Sequence, residues 1–229
     1  MSDVKVEAVE LEATDKLVMN QVPLSAELSG IGESPLHHAD LASIAEHGPQ
    51  EGGVHFHERK LMGLLTLRCL PSTEQQEMIK SLLGVALPMQ PLTSVTKDDS
   101  LIGKVSVRWV SPDEWLIIVE GDKAFEIESS FHDKLMGHFS LVNISGGTTI
   151  FEVSGSHVVG MLKKSTPVDL HASEFPVGKV VSTVFAKSGA MICRLADDQF
   201  ELVVRRSFAD YLWLWIQDAS REYGLVVKA

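Results

Sequence analysis

Only two cysteines, Cys69 and Cys193, occur among the 229 residues of this chain. So few exclude a disulfide framework and a cysteine-rich zinc site, and they fit a reducing compartment. Long hydrophobic runs are also missing. Stretches such as Trp115–Val119 fall far short of the roughly 18 residues of a membrane helix, so no membrane association is expected. Basic residues are scarce: 20 Lys and Arg face 31 Asp and Glu, for a net charge of −11. Phosphate contacts need clustered cations, so nucleic acid is not an expected partner. Met1–Glu12 is acidic and lacks the basic-then-apolar order of a secretion signal, and a cytoplasmic location is expected. What is present is 45% hydrophobic residues, a content that builds a core and excludes wholesale disorder.

The negative charge is concentrated at one end. Residues 1–50 hold two basic and nine acidic side chains, a net of −7, leaving −4 for the remaining 179 residues. This stretch also contains the breaker sequences Ser29-Gly-Ile-Gly-Glu-Ser-Pro35 and His47-Gly-Pro49. Residues 1–52 therefore read as an acidic, poorly packed arm with one short helix around Pro35–Glu46.

From residue 53 the pattern is regular. Lys60–Cys69 reads as a buried strand, and Ser72 with Gln75 forms a capping-box pattern for a helix that Gly84 stops. Val105–Val110 and Trp115–Val119 read as a hairpin around Ser111-Pro-Asp-Glu114. A helix follows with Ile127, Phe131 and Leu135 at four-residue spacing. Phe139–Ile144 and Thr148–Val153 read as a further strand pair around Ser145-Gly146-Gly147. The order strand, helix, strand, strand, helix, strand is that of ferredoxin-like α+β domains built from split βαβ units. These observations divide the rest of the chain into a first α+β subdomain, 53–153, and a second, 154–229. The second is read as a short helix, three strands around residues 179–205 and a closing amphipathic helix.

On that last helix the periodicity places Phe208, Tyr211, Leu212, Trp215, Ile216 and Ala219 on the core stripe. Trp213 and Leu214 then project outward among Asp210, Gln217 and Arg221, and such an aromatic is a candidate contact residue for a partner. Arg206, in the strand-to-helix joint Arg205-Arg206-Ser207, is a further candidate for the same interface because its guanidinium can bind a carboxylate.

Motifs that carry chemistry are absent. No Gly-x-Gly-x-x-Gly, Gly-x-x-x-x-Gly-Lys-Ser/Thr or Gly-x-Ser-x-Gly sequence occurs. His55 and His57 would share a strand face but lack a partner at ligand spacing, so no metal is expected. Asp113 and Glu114 lie in a turn, and Cys69 and Cys193 in apolar strands, so neither pair reads as reactive.

Several ordered segments nevertheless resemble the gamma subunit of heterotetrameric sarcosine oxidase. They are Gly53-Val-His-Phe-His-Glu-Arg59 followed by Gly63-Leu-Leu-Thr-Leu-Arg68, then Ser111-Pro-Asp-Glu-Trp-Leu116, where Ser111 replaces the family's usual glycine. They continue through Val153-Ser-Gly-Ser156, Pro167-Val-Asp-Leu-His171 and Phe175-Pro176, and close with Arg206-Ser-Phe-Ala-Asp-Tyr-Leu-Trp-Leu-Trp215. Ser34-Pro35-Leu36 is a weaker match within the acidic arm.

The resemblance implies a fold related to the aminomethyltransferase (glycine-cleavage T-protein) group. It implies a complex that oxidises sarcosine to glycine and passes the one-carbon unit to tetrahydrofolate. In that family FAD, FMN, NAD and tetrahydrofolate belong to the larger alpha and beta subunits, beside a small delta subunit. This chain would then bind no cofactor and hold no catalytic residue. Two alternatives stay open: the small subunit of a related N-methylglutamate dehydrogenase, and a free-standing folate-binding enzyme of the aminomethyltransferase type.

Overall fold

The computed structural model describes residues 32–99 and 103–228. The first 31 residues of the acidic arm lie outside them. From Ser34 to the end of the arm, Ser34, Leu36 and Leu41 are buried and most other residues are exposed. A single 3-10 turn, His37–Ala39, leads into helix α1, Leu41–His47, and Leu36 and Leu41 are buried in the core. Asp40 is the N-cap of α1, its side chain accepting from the Ser43 N–H.

Two sheets form the rest. The first is built from β2 (Gly63–Cys69), β3 (Ser94–Asp99), β4 (Gly103–Ser111), β5 (Glu114–Val119) and β6 (Phe139–Asn143), ordered β3-β4-β5-β2-β6. Every neighbouring pair in it is antiparallel. Helix α2, Thr73–Leu83, links β2 to this sheet's far side, and α3, Ala124–Lys134, links β5 to β6. The strands β2, β4, β5 and β6 with these two helices reproduce the ferredoxin-like order expected from sequence, and β3 adds an edge that the sequence did not announce. The capping box of α2 is present, with Ser72 accepting from the Gln75 N–H and the Gln75 side chain accepting from the Ser72 N–H. Ile79, Leu83, Ile127 and Phe131 from the two helices close over Leu65, Leu67 and Trp115 of the sheet.

The second sheet contains β1 (Val54–Arg59), β7 (Thr148–Ser154), β8 (Val180–Phe185), β9 (Ser188–Ala196), β10 (Gln199–Arg205) and β11 (Leu225–Lys228), ordered β11-β1-β7-β10-β9-β8. Its one parallel pair is β1 with β11, which the chain reaches through helix α5, Ala209–Ser220. Helices α1, α4 (Val158–Lys163) and α5 contribute to the core that covers one face, among Phe56, Phe151, Phe200 and Leu202.

The strand pair expected around Ser145-Gly146-Gly147 does not form. Strand β6 pairs with β2 in the first sheet, whereas β7 lies between β1 and β10 in the second. The glycine turn is a 3-10 step from one sheet to the other. Its chemistry serves a hairpin or a corner equally well, so composition alone could not separate them. The sheets consequently do not divide at residue 153: Val54–Arg59 and Thr148–Ser154 belong with the strands of the second half.

Between the sheets lies a separate apolar layer of Met62, Leu64, Leu116, Ile118, Ile150 and Val203. The turn that joins β1 to β2 is fixed by a close approach. An added Cβ at Gly121 would stand 2.0 Å from the Leu61 carbonyl oxygen, so only glycine fits there.

Candidate functional site

Helix α5 shows how this surface is positioned. Its buried residues are Ala209, Leu212, Trp213, Ile216, Ala219 and Ser220, a regular helical stripe. The stripe read from sequence was turned toward Phe208, Tyr211 and Trp215, and the two share only Leu212, Ile216 and Ala219. The buried stripe is centred on Ala209, Leu212, Ile216 and Ser220, and the wide indole of Trp213 packs over β1. Trp213 is 4% exposed, with its ring centroid 4.7 Å from that of Phe56. It is a core residue and no contact surface.

Leu214 is exposed, at 57%, and Phe208, in the 3-10 turn ahead of the helix, is 41% exposed. Tyr211 and Trp215 are half-buried beside them, and Trp215 Nε1 donates to Ser165 Oγ at 2.9 Å. The helix therefore presents apolar side chains outward from a backbone anchored by its opposite face.

Arg206 lies at the start of this helix, in the 3-10 turn Arg206–Phe208, and is exposed. Its Nη2 donates to the Glu33 carbonyl oxygen at 2.9 Å. Two adjoining surface clefts, of about 410 and 710 Å³, share Arg206 and Pro35 in their walls. One continues along Leu61, Met62 and Gly146, the other along His37, His38 and Ser207. His38 Nε2 lies 2.8 Å from Asp210 Oδ1, which ties the turn ahead of α1 to the first turn of α5.

Directly behind the cleft walls is a carboxylate. Glu58, on β1, is 1% exposed, and it accepts from Ser34 Oγ at 2.8 Å and from Thr149 Oγ1 at 3.0 Å. Ser34 lines one cleft and Thr149 the other. In the sequence the three lie in separate segments with no sign that they converge: the pairing of β1 with β7 brings Glu58 near Thr149, and Ser34 comes from the turn ahead of α1.

A second buried charge cluster bridges the sheets. Glu201 on β10 receives Arg108 from β4 through Nη2 and Arg59 from β1 through Nη1, the latter at 2.7 Å. Burial pushes the Glu201 carboxyl up, but the two guanidiniums, Arg108 first, outweigh it and hold the group below the ordinary glutamate value. Arg108 is fully buried, and its Nε and Nη1 have no partner among the described residues.

The residues considered for metal and nucleophilic chemistry do not assemble into a site. His57 Nδ1 contacts the Lys228 carbonyl oxygen at 3.1 Å, and no cluster of three or more His, Cys, Asp or Glu placed to hold a metal occurs among the described residues. Cys69 and Cys193 are buried far apart in separate sheets, and burial pushes the Cys69 thiol up. Arg68, on the neighbouring strand β2, pairs at 2.9 Å with Asp113 of the β4–β5 turn. No helix among the described residues is long and apolar enough to cross a membrane.

Comparison with known proteins agrees with this architecture. The sequence model of the family described as sarcosine oxidase, gamma subunit matches residues 75–222. The sarcosine oxidase subunit gamma of Corynebacterium sp. (strain U-96) is 26% identical over 196 residues, covering 83% of this chain and 91% of that protein. The subunit of the same name from Arthrobacter sp. is 26% identical over 200 residues, covering 86% and 94%. Among solved structures, a chain of the heterotetrameric sarcosine oxidase from Corynebacterium sp. U-96 superposes with a TM-score of 0.71 at 24% identity, covering 84% of this chain and 96% of that one. The glycine cleavage system aminomethyltransferase T of Bartonella henselae shares the fold at a TM-score of 0.62 and 12% identity. This chain spans 59% of its length.

Proposed function

Because the chain belongs to the sarcosine oxidase gamma subunit family, we propose that it is a structural, non-catalytic subunit of a heterotetrameric, flavin-dependent oxidase that converts sarcosine to glycine. In this reading the larger alpha and beta subunits, with a small delta subunit, hold FAD, FMN and NAD and pass the one-carbon unit to tetrahydrofolate. The chain described here supplies a rigid surface against which a larger subunit folds or docks.

The observation that supports this reading is the outer flank of α5. Leu214 and Phe208 are exposed on a helix whose other face is locked into the core. Exposed apolar side chains on a preorganised element lose little entropy on association, and the exposed Arg206 at the start of the same segment is of a residue type enriched at binding hot spots. The reading is tested by expressing the chain alone and together with the larger subunits. Alone, it is expected to bind neither flavin nor tetrahydrofolate, and together it is expected to co-purify with them. Tight tetrahydrofolate binding by the isolated chain would replace this reading with a free-standing folate enzyme.

A further inference from the structure

Of the seven arginines in the chain, five pair with a carboxylate. Arg59 and Arg108 meet Glu201, Arg68 meets Asp113, Arg194 meets Asp197 and Arg221 meets Asp218. Arg205 and Arg206, adjacent in sequence, are the two that meet none among the described residues. Arg206 makes a single hydrogen bond, from Nη2 to the neutral Glu33 carbonyl at 2.9 Å, which leaves most of its donor fork open. The acids around them have other partners. Glu33 Oε1 stands 3.7 Å from His37 Nε2, and Asp210 Oδ1 stands 2.8 Å from His38 Nε2. On a chain of net charge −11, two neighbouring guanidiniums without a counter-ion are an exception.

An exposed guanidinium is solvated and needs no partner, so its position decides what it can do. Both arginines line the larger cleft, and Arg206 also lines the smaller one, so the pair stands where the two clefts adjoin. Glu33 and Asp122, the acids in the walls, pair with neither arginine. A guanidinium fork matches a carboxylate with two parallel hydrogen bonds, and that attraction strengthens as an occupant displaces water from the cleft. Farther along, the smaller cleft turns apolar at Met62 and at Leu61, which is 56% exposed. Ser207 in the wall is followed directly by Phe208, whose exposed ring belongs to the surface assigned above to a larger subunit. The cleft and that surface are therefore continuous.

We propose that the adjoining clefts receive an acidic segment of a larger subunit, with an Asp or Glu carboxylate of that segment bound by Arg205 and Arg206. The inference rests on the chain being a subunit of a complex, as proposed above. Charge complementarity selects the occupant: two guanidiniums without a counter-ion attract a carboxylate and repel a basic segment.

The test uses the full chain co-expressed with its larger subunits, and reads the dissociation constant of the complex against salt. In a double variant, Arg205→Gln with Arg206→Gln, the isolated chain should keep its melting temperature, because both side chains are exposed. The dissociation constant of its complex should rise about 30-fold, with a flatter salt dependence. Arg68→Gln is the control, an exposed arginine of the first sheet that already holds Asp113, and it should leave assembly unchanged. Undiminished affinity of the double variant would overturn the inference. So would an equal loss in Arg68→Gln, which would reduce the effect to net charge. The occupant is read by carbodiimide cross-linking and mass spectrometry of a complex carrying Arg205→Lys and Arg206→Lys. Cross-links from these two positions to an Asp or Glu of a larger subunit are expected. Their absence, or cross-links only to acids of this chain, would overturn the inference while leaving the subunit reading intact. Failure of the wild-type chain to assemble at all would instead remove that reading, and the inference with it.

Discussion

Trp213 lies against Phe56 with ring centroids 4.7 Å apart and an interplanar angle of 39°. This contact joins α5 to the strand that neighbours both β7 and β11, and it determines which flank of the helix is free. Four expectations follow from the arrangement around it.

Trp213→Ala should destabilise the chain itself. The indole is 4% exposed and fills the layer between helix and sheet, so truncation should cost about 3–5 kcal/mol. Urea unfolding of the isolated chain checks this. A change below about 1 kcal/mol, the range of surface substitutions, would show that the indole is not a core element.

Leu214→Asp should do the opposite. At 57% exposed, the position should tolerate the change within about 0.5 kcal/mol of stability. The same substitution should reduce the amount of chain recovered with the larger subunits, because it puts a charge on the apolar flank. Undiminished co-purification would place the interface elsewhere on the molecule.

Glu201→Gln should leave the fully buried Arg108 without its counter-charge and Arg59 with only the more distant Glu120. Breaking a buried pair in this way costs about 3–5 kcal/mol. The pH dependence has a definite sign. The folded carboxyl is held below its unfolded value by Arg108 and Arg59 in spite of burial, so the stability it contributes is present above the unfolded value of about 4.3 and is lost as pH falls through the folded one. The wild type should therefore lose stability more steeply than Glu201→Gln below about pH 4.3. Urea midpoints measured across that range compare the two slopes, and identical slopes would contradict the assignment.

Gly121→Ala should destabilise the turn between the sheets, because the added Cβ would meet the Leu61 carbonyl at 2.0 Å. Backbone atoms cannot swing aside as a side-chain tip does, so a loss of about 2 kcal/mol or more is expected. Thermal unfolding reads it directly. A neutral outcome would mean that the Leu61–Met62 turn adapts without cost.

Much of the first sheet was legible from residue pattern. Ser72 and Gln75 announced α2, and the hairpin of β4 and β5 was visible in its Pro-Asp turn, because these signals are local. Strands β1, β3 and β11 were not, since short segments such as Leu225–Lys228 carry too few residues for a period to show. The path from β6 to β7 was misread because a glycine turn does not reveal which sheet the next strand joins. Which side chains of α5 face outward was half legible. Leu214 was read as exposed and is so, but Trp213 was turned outward because the helix wheel was centred on its larger aromatics rather than on the stripe of Ala209, Leu212, Ile216 and Ser220. The setting of Glu58 gave no local signal, because its hydrogen-bond partners Ser34 and Thr149 lie 24 and 91 residues away and only the folded chain makes them neighbours.

The most direct test is native mass spectrometry of the complex purified from its host through a tag on this chain. A heterotetramer containing one copy of the 25.1 kDa chain is predicted, with the flavins retained by the larger subunits when the complex is taken apart. Recovery of the chain as a lone species, or with flavin bound to it, would contradict its assignment as a structural subunit.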